Sequence, residues 1–370
     1  MQSLDINPLE ALLFRDGKPF SMGESHLANS IFPPKPSVFA GFLRSRYFIE
    51  NFQTDEIATL NNIKEYIGEG DKNYGKLKIN AIFLKKSDVL YLPTPLDLVQ
   101  DKDTKKLTIL KPMDVNGISF SNDLYDKIKQ FPMPDKNFQF IEDVNGFIDL
   151  QSLSTYLSGR VDKISVLKRN DFVESEYRTG IKIGVGNVTE EGKLYSVEFL
   201  RFNKDTGFKI LFDGLNYKQK NGIYYIGGEK KQVIYEIKDN DNINSLLKNE
   251  EINKIKEDIK KQKIFKILFL TPCYSDSIEP KKLSEKLSGK ASFLSACIKT
   301  EDVGGFDIAA NKPKKMKKLI SAGSVLYYNL DDINSIDEIM KLNFSSVSDE
   351  QEGAGFGIIL IGGNNDIQNT

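Results

Sequence analysis

The sequence predicts an α+β fold. Segments with strand-like alternation recur along its length, a few amphipathic helical stretches lie between them, and polar, insertion-like segments separate the two. No fixed-period repeat is present.

In chain order, residues 7–47 read as a strand, a tight Asp16-Gly17 turn, a glycine-containing loop and a proline-punctuated helix start. The helix is expected over 37–50, where Phe39, Phe42, Leu43 and Tyr47 fall on one face just after Pro33-Pro34-Lys35-Pro36. Arg44 falls on its polar side. Arg46 lands amid the apolar face, where it either snorkels or pairs with a core carboxylate. Residues 54–76, rich in Asn, Glu, Lys and Gly, read as a surface insertion, as do the charged run 100–106 and the polar tail 363–370. Strands are expected at 77–84, 197–202, 223–226, 266–270, 325–328 and 358–361. A second helix is expected at 150–157. A third, within 240–263, is marked by Ile252, Ile255 and Ile259 against a lysine- and glutamate-rich face.

The 370 residues suit two domains, and 40% hydrophobic content supports a sizeable core. No apolar run approaches the roughly 18 residues a spanning helix needs, and the opening residues lack the basic flank of a signal peptide. Membrane association is therefore not expected. Cys273 and Cys297 are the only cysteines and have no ligand spacing, so neither a disulfide framework nor a zinc site is expected, and a reducing cytoplasm fits. The 51 basic and 52 acidic residues nearly balance, which argues against a free nucleic-acid binder but allows a small RNA-contacting patch within an assembly. Only seven of the basic residues are arginines, and all lie in the first 201 positions. Either this is lysine-rich coding, or arginine persists where a planar fork must grip phosphate or carboxylate. The helix start at Pro36-Ser37 offers unpaired N–H groups to an anion, with Arg15, Lys18, Lys35, Arg44 and Arg46 on or near the same unit.

Four blocks in order carry a resemblance. The first comprises Pro8-Leu9, Phe14-Arg15-Asp16-Gly17-Lys18-Pro19-Phe20, Gly23-Glu24, Phe32-Pro33-Pro34, Pro36-Ser37 and Ala40-Gly41-Phe42-Leu43-Arg44. The second comprises Glu176-Tyr177-Arg178-Thr179-Gly180-Ile181, Glu191-Gly192-Lys193-Leu194-Tyr195 and Phe199-Leu200-Arg201. The third comprises Gly304-Gly305-Phe306-Asp307, Lys312-Pro313-Lys314 and Ala322-Gly323-Ser324-Val325, and the fourth is Gly353-Ala354-Gly355-Phe356-Gly357. Together they resemble the third subunits of the Cmr complex, members of the RAMP superfamily in type III-B CRISPR systems. Lys18, Val38 and Phe306 depart from the arginine, threonine and tryptophan usual there.

The resemblance implies two ferredoxin-like (RRM-like) RAMP domains with loop insertions, divided for equal halves into 1–175 and 176–370. It implies a non-catalytic, antiviral RNA-binding subunit, without cofactor or metal. Such a subunit seats the repeat-derived 5′ tag of the CRISPR RNA and bridges the large polymerase-like signature subunit to the adjacent backbone RAMP subunit, meeting target RNA only indirectly. The expected RNA-binding residues are Arg15, Lys18, His26, Lys35, Ser37, Arg44, Arg178, Thr179, Gly180, Gly353, Gly355, Phe356 and Gly357. The glycine-rich loop is followed by no Gly-Lys-Ser/Thr, so it is not an NTPase phosphate loop. It is expected to lie open against RNA with its N–H groups directed at phosphate or base edges, so that Gly355→Val would leave the free subunit's stability almost unchanged. The enzyme alternative is a metal-independent repeat-processing endoribonuclease, for which His26, the sole histidine, would be the acid or base.

Overall fold

The computed structural model describes residues 1–16, 27–51, 57–70, 73–114, 130–134, 140–183, 189–307 and 312–364. Its main strands are β1 (Gln2–Pro8), β2 (Lys78–Lys86), β3 (Val89–Pro93), β4 (Phe147–Asp149), β5 (Val166–Leu167), β6 (Val173–Ile183), β7 (Thr189–Phe202), β8 (Thr206–Asp213), β9 (Asn221–Ile226) and β10 (Lys231–Asp239). Further along lie β11 (Ile264–Phe269), β12 (Ala291–Cys297), β13 (Val325–Leu330) and β14 (Ile359–Gly363). The helices are α1 (Pro36–Asn51), α2 (Ile57–Ile67), α3 (Leu150–Leu157), α4 (Asn249–Gln262), α5 (Lys281–Leu287) and α6 (Ile336–Met340).

Leu4 and Ile6 alternate with Ser3 and Asp5 in β1, which splits the strand's two faces. β1 sits between β8 and β10 in an eight-stranded antiparallel sheet ordered β5-β4-β3-β2-β8-β1-β10-β9. The second sheet, also antiparallel, runs β12-β13-β11-β14. Taking β1, β2, β8 and β10 in chain order, their spatial order is fourth, first, third, second. Strands β11, β12, β13 and β14 repeat that order. In the second sheet α5 links the first strand to the second, and α6 links the third to the fourth. In the first sheet α1 and α2 make the first link, while β9 stands where the second helix would be.

Helix α1 covers one face of the first sheet. Phe39 meets Phe208 at 5.0 Å, and Phe42 meets Tyr224 at 5.3 Å and Tyr235 at 5.7 Å, all edge-on. Each such buried ring contributes about 1.5–3 kcal/mol. Arg46 is held in this layer: its Nε donates to the Tyr235 hydroxyl at 2.9 Å, its Nη2 to Gln219 Oε1 at 2.7 Å, and Glu50 lies at 3.8 Å. The opposite face, with Ala81, Phe83 and Leu211, shares a core with α3 and the second sheet. Asp149 caps α3 by accepting from the Ser152 N–H at 2.6 Å, an arrangement whose loss costs about 1 kcal/mol. Tyr156 and Leu157 on α3 are wholly buried in that core.

Two expectations are corrected here. The first sheet draws strands from residues 2–239, so a division at 175/176 cuts through β6 and separates β8, β9 and β10 from β1. The change from one sheet to the other falls instead in the α4 region. The 54–76 stretch contains α2 rather than loop alone, and Ile63 is buried against α1's layer. The readings at 37–50, 150–157 and 240–263 correspond to α1, α3 and α4, with Ile255 and Ile259 facing inward.

Candidate nucleic-acid interface

Strands β6 and β7 form a long hairpin outside both sheets, in one register from Val173↔Phe202 to Ile181↔Leu194, with a shift before Ile183↔Thr189. A strap of earlier residues pins it. The Leu12 and Leu200 N–H groups each donate to the other's carbonyl at 2.8 Å, the Ile31 N–H donates to the Phe14 carbonyl at 2.8 Å, and Arg15 bridges Ser30. Ala11, Leu13 and Phe199 bury one another beneath the hairpin. Residues 17–26 are not among those the structure describes, Lys18 and His26 included.

Strand alternation puts Glu176, Arg178, Val197, Phe199 and Arg201 on one face. Arg178 stacks on Phe199, its guanidinium carbon 4.2 Å from the ring centre, and grips Glu176 Oε1 through Nη2 at 2.8 Å and Nε at 2.9 Å. Arg201 Nε donates to the other Glu176 oxygen at 2.7 Å. These bonds, that from Arg178 first, hold the Glu176 carboxyl below its ordinary value. Lys231 lies 5.1 Å over the same Phe199 ring and within 3.5 Å of Glu10. Arg178 and Thr179 are exposed, and Tyr177 is exposed on the opposite face. A Cβ on Gly180 would run into the ring tip of Tyr195, its cross-strand partner, so a larger residue there would oblige that ring to move. The prediction omitted Tyr177, Arg201 and Lys231. The period-two pattern around Arg178 and the Phe199-Leu200-Arg201 run were the available signals for the first two, whereas Lys231 arrives from β10, 53 positions away, without one.

The α1 group is distributed differently. Ser37 is exposed in the first turn. Arg44 donates from Nη1 to the Gly70 carbonyl at 2.9 Å and lies 5.0 Å from the centre of the Tyr74 ring. Lys35, expected among the RNA contacts, is paired within the chain. Its side chain is only 10% exposed, and Nζ sits 2.5 Å from Glu301 Oε2 in a pair joining the first half to the second. A phosphate would have to displace the Glu301 carboxylate from this nearly buried ammonium to reach it.

The glycine-rich turn is the larger correction. Gly355 and Gly357 adopt φ of +88° and +65°, which favour glycine. A Cβ on Gly355 would lie 2.7 Å from Ile79 Cγ2, one on Gly357 2.6 Å from the Ser348 nitrogen, and one on Gly353 2.7 Å from Tyr74 Cβ. The N–H of Gly355 donates to the Glu352 carbonyl at 3.0 Å, and that of Gly357 to the Pro272 carbonyl at 2.8 Å. Thr271 Oγ1 donates to the Gly355 carbonyl at 2.8 Å, and Ser346 Oγ to the Phe356 carbonyl at 2.6 Å. Phe356 is wholly buried beside Tyr274. These glycines give room to the protein's own chain, the N–H groups of Gly355 and Gly357 are committed within it, and Phe356 has no face open to a base. The turn locks the second sheet against β2.

Among the described residues no group of three or more His, Cys, Asp or Glu side chains is placed to hold a metal, and no helix is long and apolar enough to cross a membrane. A sequence-family profile described as CRISPR-associated protein (Cas_Cmr3) matches residues 4–364. None of the curated proteins matches. Among solved structures, the chain is similar to one in the cryo-EM structure of the type III-B Cmr-beta bound to cognate target RNA. Identity is 20%, with 92% of this chain and 89% of that one covered and a TM-score of 0.48. It is also similar to one in the crystal structure of the Csm3-Csm4 subcomplex of the type III-A interference complex, at 13% identity, 90% and 93% coverage and a TM-score of 0.39.

Proposed function

Because the chain belongs to the Cas_Cmr3 family of CRISPR-associated proteins, we propose that it is the non-catalytic subunit of a type III-B effector that seats the repeat-derived 5′ tag of the guide RNA. In this reading it also joins the large polymerase-like subunit to the adjacent backbone RAMP subunit and meets target RNA only through the guide. Its two halves are ferredoxin-like units, a reading supported by the strand order that both sheets share.

One observation carries the RNA-binding claim: the Arg178 guanidinium lies over the Phe199 ring at an exposed strand. A guanidinium fixed on an aromatic ring is already oriented for a bidentate grip on phosphate. Glu176 occupies it in the free chain, so RNA exchanges one carboxylate for phosphate and leaves Arg201 to neutralise Glu176. Because basic and acidic residues nearly balance over the chain, 51 against 52, affinity of the isolated chain is weak and falls with salt, and the assembly supplies the rest. Arg15, Ser37, Arg44 and Thr179 are further contacts in this reading, with Lys18 and His26 from the 17–26 segment.

The test is purification of the tagged chain from its host, followed by sequencing of the bound RNA. Guides sharing one repeat-derived 5′ end are expected. An RNA population without that shared end would overturn the proposal, as would cleavage of repeat RNA by the pure chain that is lost in His26→Ala.

A further inference from the structure

The side-on edge of the Arg178 guanidinium is already occupied. Its Nε and Nη2 both donate to Glu176 Oε1, at 2.9 and 2.8 Å, while Arg201 Nε donates to Oε2 at 2.7 Å. The Phe199 ring, 4.2 Å from the guanidinium carbon, backs one face of the same group. Carboxylate and phosphate accept from the same planar pair of donors, so one excludes the other from this edge. All three charged side chains are partly exposed, which leaves the pair open to exchange with an anion from solution.

Two features make Glu176 a standing competitor for that edge. The bond from Arg178, and after it the one from Arg201, keeps its carboxyl below the ordinary value, so near neutral pH it stays charged. Arg201 also gives the carboxylate a second partner on the neighbouring strand. Release from Arg178 therefore leaves no unpaired charge behind, and the exchange is reversible at low cost.

We infer that Glu176 is an autoinhibitory contact, holding the Arg178 fork against loose RNA until the assembled complex presents a strand beside it. The inference rests on the RNA-binding reading above and adds regulation to that site. An internal carboxylate competes at a fixed, high effective concentration, whereas free RNA competes only at its concentration in solution. Within the complex the RNA is also held nearby, and the exchange then favours phosphate. Phosphate carries no base identity, so the restraint applies to RNA of any sequence.

The experiment measures, at one fixed salt concentration, the affinity of the full chain alone for a fluorescein-labelled single-stranded RNA of unrelated sequence. Glu176→Gln, a near-isosteric change, should tighten binding about tenfold, and Glu176→Ala should do the same. Glu174→Gln removes an equal charge from the same strand face, opposite Arg201, and should tighten it less than about threefold. With Arg178→Ala in place, Glu176→Gln should likewise gain less than about threefold, because the fork it would free is gone. Affinity at or below the parent level in both folded Glu176 variants would overturn the inference, since the carboxylate would then orient the fork and not compete for it. An equal gain in Glu174→Gln, or an undiminished gain without Arg178, would overturn it too, by reducing the effect to net charge. Guide retention by the assembled complex separates the two readings. Retention that Arg178→Ala leaves at the parent level would overturn the RNA-binding reading at the hairpin and the inference with it. Retention lost in Arg178→Ala, with no gain from Glu176→Gln in the isolated chain, would overturn the inference alone.

Discussion

The segments 353–357 and 176–180 carry sequence signals of similar kind and have opposite surroundings. Each contains glycine in a recognisable block. In 353–357 the missing side chains admit Ile79, Ser348 and Tyr74, and Phe356 is buried. In 176–180 only Gly180 yields space, to Tyr195, while Arg178 and Thr179 face solvent. Glycine therefore signals close approach without saying what approaches. A neighbouring strand of the same chain satisfies the signal as well as an RNA backbone does.

The largest expected effect is at the inner turn. Gly355→Val forces a branched side chain into φ +88° against Ile79. Backbone strain and overpacking together should cost on the order of 2–5 kcal/mol, read as a lower urea midpoint of the free subunit. A variant as stable as the parent would return the turn to the surface and break the contrast.

An intermediate effect comes from the strand this turn leads into. Gly362 of β14 packs over Lys266, whose side chain is wholly buried and 3.8 Å from Asp97, with Nζ 3.6 Å from the centre of the Tyr156 ring. Burial drives the Lys266 amine down to about 8, against the upward pull of Asp97 and Asp258. Below pH 8 the ammonium is protonated in both states and carries its full desolvation cost. Above it the native state sheds the proton first, because the unfolded amine holds it to about 10.4. Stability should therefore rise by about 1–2 kcal/mol between pH 8 and 9.5. Urea titrations across that range should show the rise in the parent and lose it in Lys266→Met.

The smallest effect on stability is expected at the hairpin. Arg178 is 41% exposed on its side chain and paired to a single carboxylate, so Arg178→Ala should change stability by less than about 0.5 kcal/mol. Guide retention by the complex should still fall. Arg178→Lys should restore charge without restoring retention, since the bidentate fork is lost. Equal retention in all three proteins would remove the geometric argument for this residue.

Legibility in the sequence followed locality. Helices α1, α3 and α4 could be read because their apolar spacing is local and bounded by Pro36, Asp149 or an acidic first turn. Helix α2 had the same spacing in Ile57, Leu60, Ile63 and Ile67, but its Asn- and Glu-rich surroundings disguised it as a loop. The first sheet could not be delimited, since β1 pairs with β8 and β10 more than 200 positions away. Lys35 and Glu301 are likewise distant in sequence, so nothing near Lys35 announced its ion-pair partner. Arg178 could be singled out as an arginine among lysines. Its seat on Phe199 and its grip on Glu176 required the register of the hairpin.

The central claim is that RNA lies on the outer hairpin and not on the glycine turn. Ultraviolet crosslinking of the assembled complex, with mass spectrometry of the modified peptides, tests it most directly. Crosslinks between the repeat-derived 5′ segment and residues 173–202 are predicted, with Tyr177 the aromatic side chain best exposed to form one. Crosslinks concentrated in 353–357, with none in the hairpin, would contradict the account.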